Sequence, residues 1–466
     1  MVHLYRNGGY NIVLDVESGS VHLVDELAFG LIPMLEDTIV SYAGKEGGCD
    51  AQAVADFAMT LPPSVGHDAS EVRETVDEIC SLFEEGRLYS RDVYKDYVEG
   101  FVNRPVVVKA LCLHVAHDCN LSCRYCFAGE GEYRGSRELM SYETGRRALD
   151  FLIENSGSRK NLEVDFFGGE PLMNWDVVKA LVEYGRSRQE EADKNFRFTL
   201  TTNGTLLRED ILEFAGREMS NIVCSIDGRK EINDAMRPLR GGQGSYDIIL
   251  PKFKRVARLR RQNDYYVRGT YTHFNTDFAK DVIHLMDEGF EQISVEPVVA
   301  PAKEAYALRE EDIPILLEQY DILLEEIIKR RKAGKFVNFF HFMIDLEGGP
   351  CVAKRLSGCG AGGEYLAVTP GGDIYPCHQF VGMKDFLMGN VFEGIKNEEL
   401  GKSFRSCSVY SKDACRSCFA KYYCSGGCMA NAYNFSGDIN GSYEMGCILQ
   451  RKRVECAIAL KAAMAE

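Results

Sequence analysis

Hydrophobic and polar positions follow three different rhythms along this chain. Near its start, residues 2–5, 10–16 and 21–24 read as short strands, with Asn7-Gly8-Gly9 and Ser18-Gly19 as the turns between them. A helix is predicted over about 26–35. A second follows Ser70, a residue type that caps helices, and places Val72, Val76, Ile79 and Phe83 on one face. Strands followed by helices make residues 1–92 a winged-helix-like unit. A polar linker, 93–104, ends at Pro105. The rhythm then changes to alternating strands and helices. The strands are predicted at 106–116, 162–167, 196–202, 222–226, 266–271 and 292–297, with helices such as 142–155 and 175–189 between them. Alternation of this kind implies a parallel sheet, and six units imply a partial (β/α)6 TIM-type barrel over 105–310, with its chemistry at the C-terminal strand ends. Residues 313–332 form one amphipathic helix within a bridging region, 311–348. From 349 to 466 the pattern breaks into short segments rich in cysteine and glycine. The fold class is α/β.

Length and charge narrow the picture. A chain of 466 residues accommodates two or three domains. The net charge of −16 argues against a nucleic-acid surface as the main function. The basic run 252–261 reads as a solvated helix face. No apolar run reaches membrane length, and the start lacks a signal-peptide pattern. The expectation is a cytoplasmic protein with no nucleic-acid or membrane partner. Of 17 cysteines, ten lie between Cys351 and Cys456. Stapling disulfides do not explain a middle region nearly free of cysteine, so metal ligation is the better reading.

Directly after the first barrel strand, Cys119, Cys123 and Cys126 are spaced C-x3-C-x2-C. Three soft thiolates in one loop suit a [4Fe–4S] cluster and leave one iron open. A zinc site is the alternative; it needs a fourth ligand, for which His114 or His117 would have to join. With Tyr125 before the third cysteine, the loop resembles the signature of the radical S-adenosylmethionine (SAM) superfamily. That resemblance implies that the open iron chelates SAM, whose reductive cleavage yields a 5′-deoxyadenosyl radical. Gly168-Gly169-Glu170-Pro171 resembles the family's GGEP motif and implies that Glu170 receives the methionine amine. Thr202-Asn203-Gly204 and Ser225-Ile226-Asp227-Gly228 fall at the next strand ends, where the family places cofactor and ribose contacts. Asn203, Ser225 and Asp227 are the residues implied. Arg268 on the fifth strand matches a position that can pair with the cofactor carboxylate.

The second cysteine region contains Cys359, Gly372-Asp373-Ile374-Tyr375-Pro376-Cys377, Cys415, Cys418, Cys424, Cys428 and Cys447. It resembles the SPASM extension of radical SAM enzymes, which implies two auxiliary clusters and three [4Fe–4S] clusters in all. By that resemblance Cys415, Cys418, Cys424 and Cys447 hold the distal cluster, and Cys359, Cys377 and Cys428 the nearer one. The fourth ligand of the nearer cluster stays open: Cys351, or a substrate thiolate at a vacant iron. A zinc ribbon is the alternative for the C-x2-C hooks. Cys49, Cys80, Cys112, Cys224, Cys407 and Cys456 are expected as small buried apolar residues.

The segments Gly9-Tyr10-Asn11-Ile12-Val13-Leu14-Asp15, Gly19-Ser20-Val21-His22-Leu23-Val24-Asp25 and Tyr375-Pro376-Cys377-His378-Gln379-Phe380 resemble the maturases of SCIFF peptides. This implies thioether formation in a Cys-rich precursor peptide whose leader adds as a strand along residues 21–24, with the helix at 70–89 as the other wall. A reductant such as flavodoxin or ferredoxin is implied. Formylglycine formation of the sulfatase-maturating type, other SPASM oxidations of peptides, and a non-enzymatic iron–sulfur electron carrier are the rival readings. No general base can be singled out among Asp165, Glu296, Asp345 and other acids near strand ends.

Overall fold

The computed structural model describes residues 1–42, 48–98, 100, 103, 105–129, 131–346 and 352–465. Cys351 and part of the 93–104 linker lie outside the described residues.

The strands β1 (Val2–Asn7), β2 (Tyr10–Asp15) and β3 (Val21–Leu23) form an antiparallel meander in the order β1-β2-β3. Gly8 and Gly9 turn the first hairpin in the left-handed region, which costs glycine least. The run Ile12-Val13-Leu14 is continuously apolar because both faces of β2 are covered. Val13 packs on the unit's own helices, with Leu31, Leu35, Val72 and Val76. Ile12 and Leu14 join the main core, as do Cys456 and Leu460 of the Glu444–Ala465 helix.

The helices of this unit are Glu26–Tyr42, Ala51–Ala58 and Ala69–Glu84. The second went unpredicted, and the first runs longer than expected. Ser70 is not the cap: Asp68 is, its carboxylate accepting from the Glu71 amide at 2.9 Å. Val72, Val76 and Ile79 are buried as expected. Cys49 and Cys80 are not merely small apolar residues, as the sequence suggested; they are joined as a disulfide. Cys112, Cys224, Cys407 and Cys456 are buried thiols as expected.

The body of the protein is one mixed sheet. It contains β4 (Ala110–His117), β5 (Glu138–Leu139), β6 (Asn161–Gly168), β7 (Asn195–Thr202), β8 (Met219–Ser225), β9 (Tyr265–Tyr271), β10 (Gln292–Pro297), β11 (Asn338–Phe339), β12 (Tyr365–Val368), β13 (Asp373–Tyr375), β14 (Gly389–Asn390) and β15 (Gly394–Ile395). The six predicted strands appear as β4 and β6–β10, parallel and side by side in chain order. Along β6, Leu162, Val164 and Phe166 are fully buried, while Glu163, Asp165 and Phe167 face the opposite side and are more open. That alternation is why the strand was legible.

The sheet extends further than predicted on both sides. β11 adds parallel to β10, and β12, from the cysteine-rich region, adds parallel to β4 and leads into the antiparallel β13–β15. Glu444–Ala465 packs on the bridging helix Ile313–Lys332. In the basic run, Lys254 pairs with Glu288 and Arg255 with Glu209, so these charges are spent within the chain.

Candidate functional site

At the C-terminal ends of β4, β6, β7 and β8 lies an open pocket with about 740 Å³ of space free of protein atoms. The Cys119–Cys126 loop forms one wall. It is stitched to the segment after the Lys230–Met236 helix: the Ser122 amide donates to the Pro238 carbonyl and the Arg124 amide to the Met236 carbonyl, each at 2.9 Å. The Leu121 amide and the Asn203 side-chain amide both point at Cys119 Sγ, at 3.5 and 3.7 Å. N–H donors of this kind stabilise a charged sulfur.

Gly168 and Gly169 bring the end of β6 against this loop. A Cβ at either position would overlap the carbonyl oxygens of Ala116 and Asp118 respectively. The approach is fastened by backbone bonds from Gly169 to the Ala116 carbonyl (2.7 Å) and from Glu170 to the Asp118 carbonyl (2.8 Å). The Glu170 carboxylate is fully buried. It accepts from the Thr202 hydroxyl (2.7 Å), the Asn203 amide (2.7 Å) and the Leu172 amide (3.1 Å). Burial pushes its carboxyl up to about 7, and these donors oppose the rise.

The structure therefore brings Cys119, Cys123, Cys126, Gly168, Gly169, Glu170, Asn203 and Ser225 onto one pocket. It does not bring Asp227 or Arg268 onto that wall. Asp227 sits behind it, fully buried, both oxygens accepting from the Tyr125 phenol at 2.7 Å and one from the Thr270 amide at 3.1 Å. It thus anchors the residue before Cys126. Arg268 is half exposed and reaches Glu296 at 3.4 Å.

The basic residue on the pocket wall is Arg237, which sequence reasoning missed. It is buried, donates to the Tyr125 hydroxyl at 2.8 Å, and its Nε has no hydrogen-bond partner among the described residues. The signal available was an Arg-Pro pair directly after a short helix.

His114 and His117 face each other at 3.1 Å and pack on Tyr133. Burial holds His114 well below the ordinary histidine range and His117 at about 4. Among the described residues they form no metal-holding group with the cysteine loop. Phe127 and Phe167 lie within 6 Å of the His378 ring, next to Cys377.

Several of the remaining cysteines lie near one another. Cys415, Cys418 and Cys447 lie within electrostatic range of Cys424, and Cys359 and Cys428 within range of Cys377. Burial pushes Cys119 and Cys424 up to about 12, and Cys123 and Cys447 to about 11. Thiolates in such surroundings need a metal's positive charge, and groups made of thiols without carboxylates suit iron–sulfur clusters. Among the described residues no three of His, Cys, Asp and Glu stand together as a site for a single metal ion; it is the thiol-only chemistry of the sets that suits an iron–sulfur cluster.

Residues 113–289 match the radical SAM superfamily, and residues 359–419 match the SPASM iron–sulfur cluster-binding domain. The chain thus carries a radical SAM domain followed by a SPASM domain. Its relatives include the radical SAM cyclopropyl synthase TigE of Paramaledivibacter caminithermalis, 23% identical over 428 residues, covering 83% of this chain and 84% of TigE. Among solved structures, anSMEcpe with bound AdoMet shares the fold at a TM-score of 0.63 and 19% identity, covering 77% of this chain and 96% of that one. Streptococcus suis SuiB bound to S-adenosylmethionine aligns over 94% of this chain and 97% of its own, at a TM-score of 0.53 and 18% identity. Among the described residues, no helix is long and apolar enough to cross a membrane.

Proposed function

We propose that this protein is a cytoplasmic peptide maturase that installs thioether crosslinks in a ribosomally made, Cys-rich peptide. The observation that carries the reading is the convergence of three parts: the open pocket at Cys119–Cys126, the two further cysteine groups, and a recognition sheet with a free edge. The Glu444–Ala465 helix covers one face of the sheet, where the side chains of Tyr5 and His3 both bond to Glu455. β3 has no partner beyond β2 among the described residues. The Asn11 carbonyl receives the Val24 amide and the Ser20 carbonyl receives the Asp15 amide. The alternation of an antiparallel pair then leaves the amides of Val21 and Leu23 pointing outward. A leader strand adds there.

In this reading the domains are a winged-helix-like unit (1–92), a curved partial barrel (105–310), a bridging region (311–348) and the SPASM domain (349–466). Cys119, Cys123 and Cys126 hold the cluster that binds SAM; Cys415, Cys418, Cys424 and Cys447 hold the distal cluster, and Cys359, Cys377 and Cys428 the nearer one. Bound and reductively cleaved, SAM supplies the 5′-deoxyadenosyl radical that takes one hydrogen atom from the acceptor carbon. Joining the peptide sulfur to that carbon then releases one proton and one electron; the cluster held by the nearer SPASM cysteines would take up that electron, and a reductant of the flavodoxin or ferredoxin type would supply the one that cleaves SAM. Gly168 and Gly169 let the cofactor's amino-acid end lie close to the backbone. Glu170 and Asn203 orient its amine, Ser225 its ribose, and Arg237 its carboxylate. Asp227 acts at one remove, fixing Tyr125. Arg268 and Glu296, on neighbouring strands, face the substrate.

The test is anaerobic co-expression with a short Cys-rich peptide encoded nearby. Loss of about two hydrogens per modified cysteine, with that thiol resistant to alkylation and to reductant, is the expected result. The same mass loss with every thiol still reactive would reject thioether formation.

A further inference from the structure

The five residues between Cys418 and Cys424 are the spacer of the distal cysteine set, and four of them touch the N-terminal unit. The Phe419 ring stacks on His3, centroids 3.5 Å apart and 3° from parallel. Lys421 Nζ pairs with Glu17 Oε1 at 2.7 Å, and the Tyr422 hydroxyl donates to Glu17 Oε2 at 2.8 Å. Tyr423 lies against the turn of β2 and β3, its hydroxyl 3.7 Å from where a Cβ on Gly19 would stand.

The ion pair is closed to water: the side chains of Lys421 and Glu17 are 3% and 6% exposed. Asp92, at the end of the N-terminal unit, adds a second carboxylate 3.6 Å from Lys421 and accepts from Tyr410 at 2.6 Å. Tyr410 and Tyr422 hydroxyls meet at 2.8 Å. Glu17 is itself held rigidly. Asp15 Oδ1 accepts from the amides of Glu17 (3.2 Å) and Ser18 (3.3 Å), and Asp15 Oδ2 from Ser90 (2.9 Å).

We infer that the Glu17–Lys421 pair is an electrostatic link through which the N-terminal unit sets the reduction potential of the cluster held by Cys415, Cys418, Cys424 and Cys447. The inference rests on the cluster assignment proposed above. Two unit charges in a dry interface act over longer distances than they would in water. Lys421 sits in the ligand loop and favours the reduced cluster, which carries one more negative charge. Glu17, delivered from a different unit, cancels most of that effect. A cluster's net electrostatic surroundings are a main determinant of its potential. Glu17 and Lys421 are thus positioning residues: they touch neither substrate nor reacting atoms.

The experiment is a redox titration of the anaerobically purified, fully cluster-loaded chain, followed by electron paramagnetic resonance. The distal signal is identified as the one lost in Cys447→Ala. Glu17→Gln removes the nearer of the two carboxylates that oppose Lys421 and is expected to move the distal midpoint to more positive potential. Lys421→Gln leaves Glu17 uncompensated and is expected to move it the other way. The double variant restores charge balance and is expected near the wild-type value. The other two clusters are expected not to move. Asp92→Asn, a milder change at a more open position, is expected to give a smaller positive shift and serves if the buried variants load poorly.

Opposite signs in the two single variants support the link, because mere loosening of the loop would shift both the same way. An unmoved distal midpoint in loaded Glu17→Gln, or shifts of one sign in both, would overturn it while leaving the proposed activity intact. A wild-type chain without a distal signal would overturn the link and the cluster assignment together.

Discussion

Glu170 shows how much of the pocket is fixed by single side chains. Its carboxyl is pushed up to about 7 by burial against an ordinary value of 4.5. The folded chain therefore holds this proton more tightly than the unfolded chain does. The resulting stabilisation is complete below about pH 4.5 and is lost as the pH rises toward 7. In the metal-free protein, thermal unfolding is expected to come at lower temperature as the pH climbs through that window. Glu170→Gln, with no proton to lose, flattens the profile; an identical slope in the variant would show that other groups dominate. Arg237 and Arg268 separate two functions. Arg237→Lys is expected to weaken SAM binding by about tenfold, ~1.4 kcal/mol, because the flat fork of a buried guanidinium is not replaced by a point charge. Arg268→Lys is expected to leave SAM affinity unchanged. Equilibrium binding of SAM to the cluster-loaded protein measures both, and equal losses would place Arg268 on the cofactor instead. Gly169→Ala pushes a methyl group into the Asp118 carbonyl, so the loop cannot close on its cluster. Iron analysis is expected to fall by about four atoms per chain, and full iron loading would refute the close-approach argument.

Among elements, β3 carries the recognition proposal. Its three residues pair only with β2, at Ile12–Leu23, Val13–His22 and Leu14–Val21. Leu23→Pro removes an outward amide without breaking a bond to β2, since edge strands accept proline. Affinity for the precursor peptide is expected to drop tenfold or more, with SAM binding unchanged; unaltered peptide affinity would exclude strand addition at this edge. The six central strands were legible because each buries one face on helices and leaves the other more polar. β12 was not: Tyr365-Leu366-Ala367-Val368 is only four residues long, and its partner β4 lies some 250 residues away. Periodicity describes a strand's own faces and carries no record of its neighbour. The same limit hid the Cys49–Cys80 bond, whose partners are 31 residues apart, Cys80 on the Ala69–Glu84 helix and Cys49 in the segment before Ala51–Ala58, and the choice of Asp68 over Ser70 as cap, since both types serve. The cofactor motifs were legible as sequence, yet Asp227 turned out to brace Tyr125. A strand-end acid reads the same whether it faces the pocket or the layer beneath.

At the scale of the whole molecule, sequence spacing conveyed that Cys119, Cys123 and Cys126 share one loop, and the structure lines a single pocket with all three. A chain purified without oxygen is expected to hold about twelve iron atoms, and Cys359→Ala about eight; twelve in that variant would remove Cys359 from the ligand set. What spacing could not convey is that residues near one end of the chain complete surroundings built near the other. His3 and Glu17 reach Phe419, Lys421 and Glu455 across more than 400 positions.

That long closure also has a meaning in time. Residues 2–17 leave the ribosome well before residues 444–465 exist, so until then the face of the meander that carries His3, Tyr5, Ile12 and Leu14 lacks the cover of that helix. An interrupted product keeps that apolar face open, and exposed apolar patches are what aggregating chains find first. Only a chain that has been made through its Glu444–Ala465 helix can hide it. The contact between residues 3–17 and 419–455 thus forms late in synthesis, however early its first half is made.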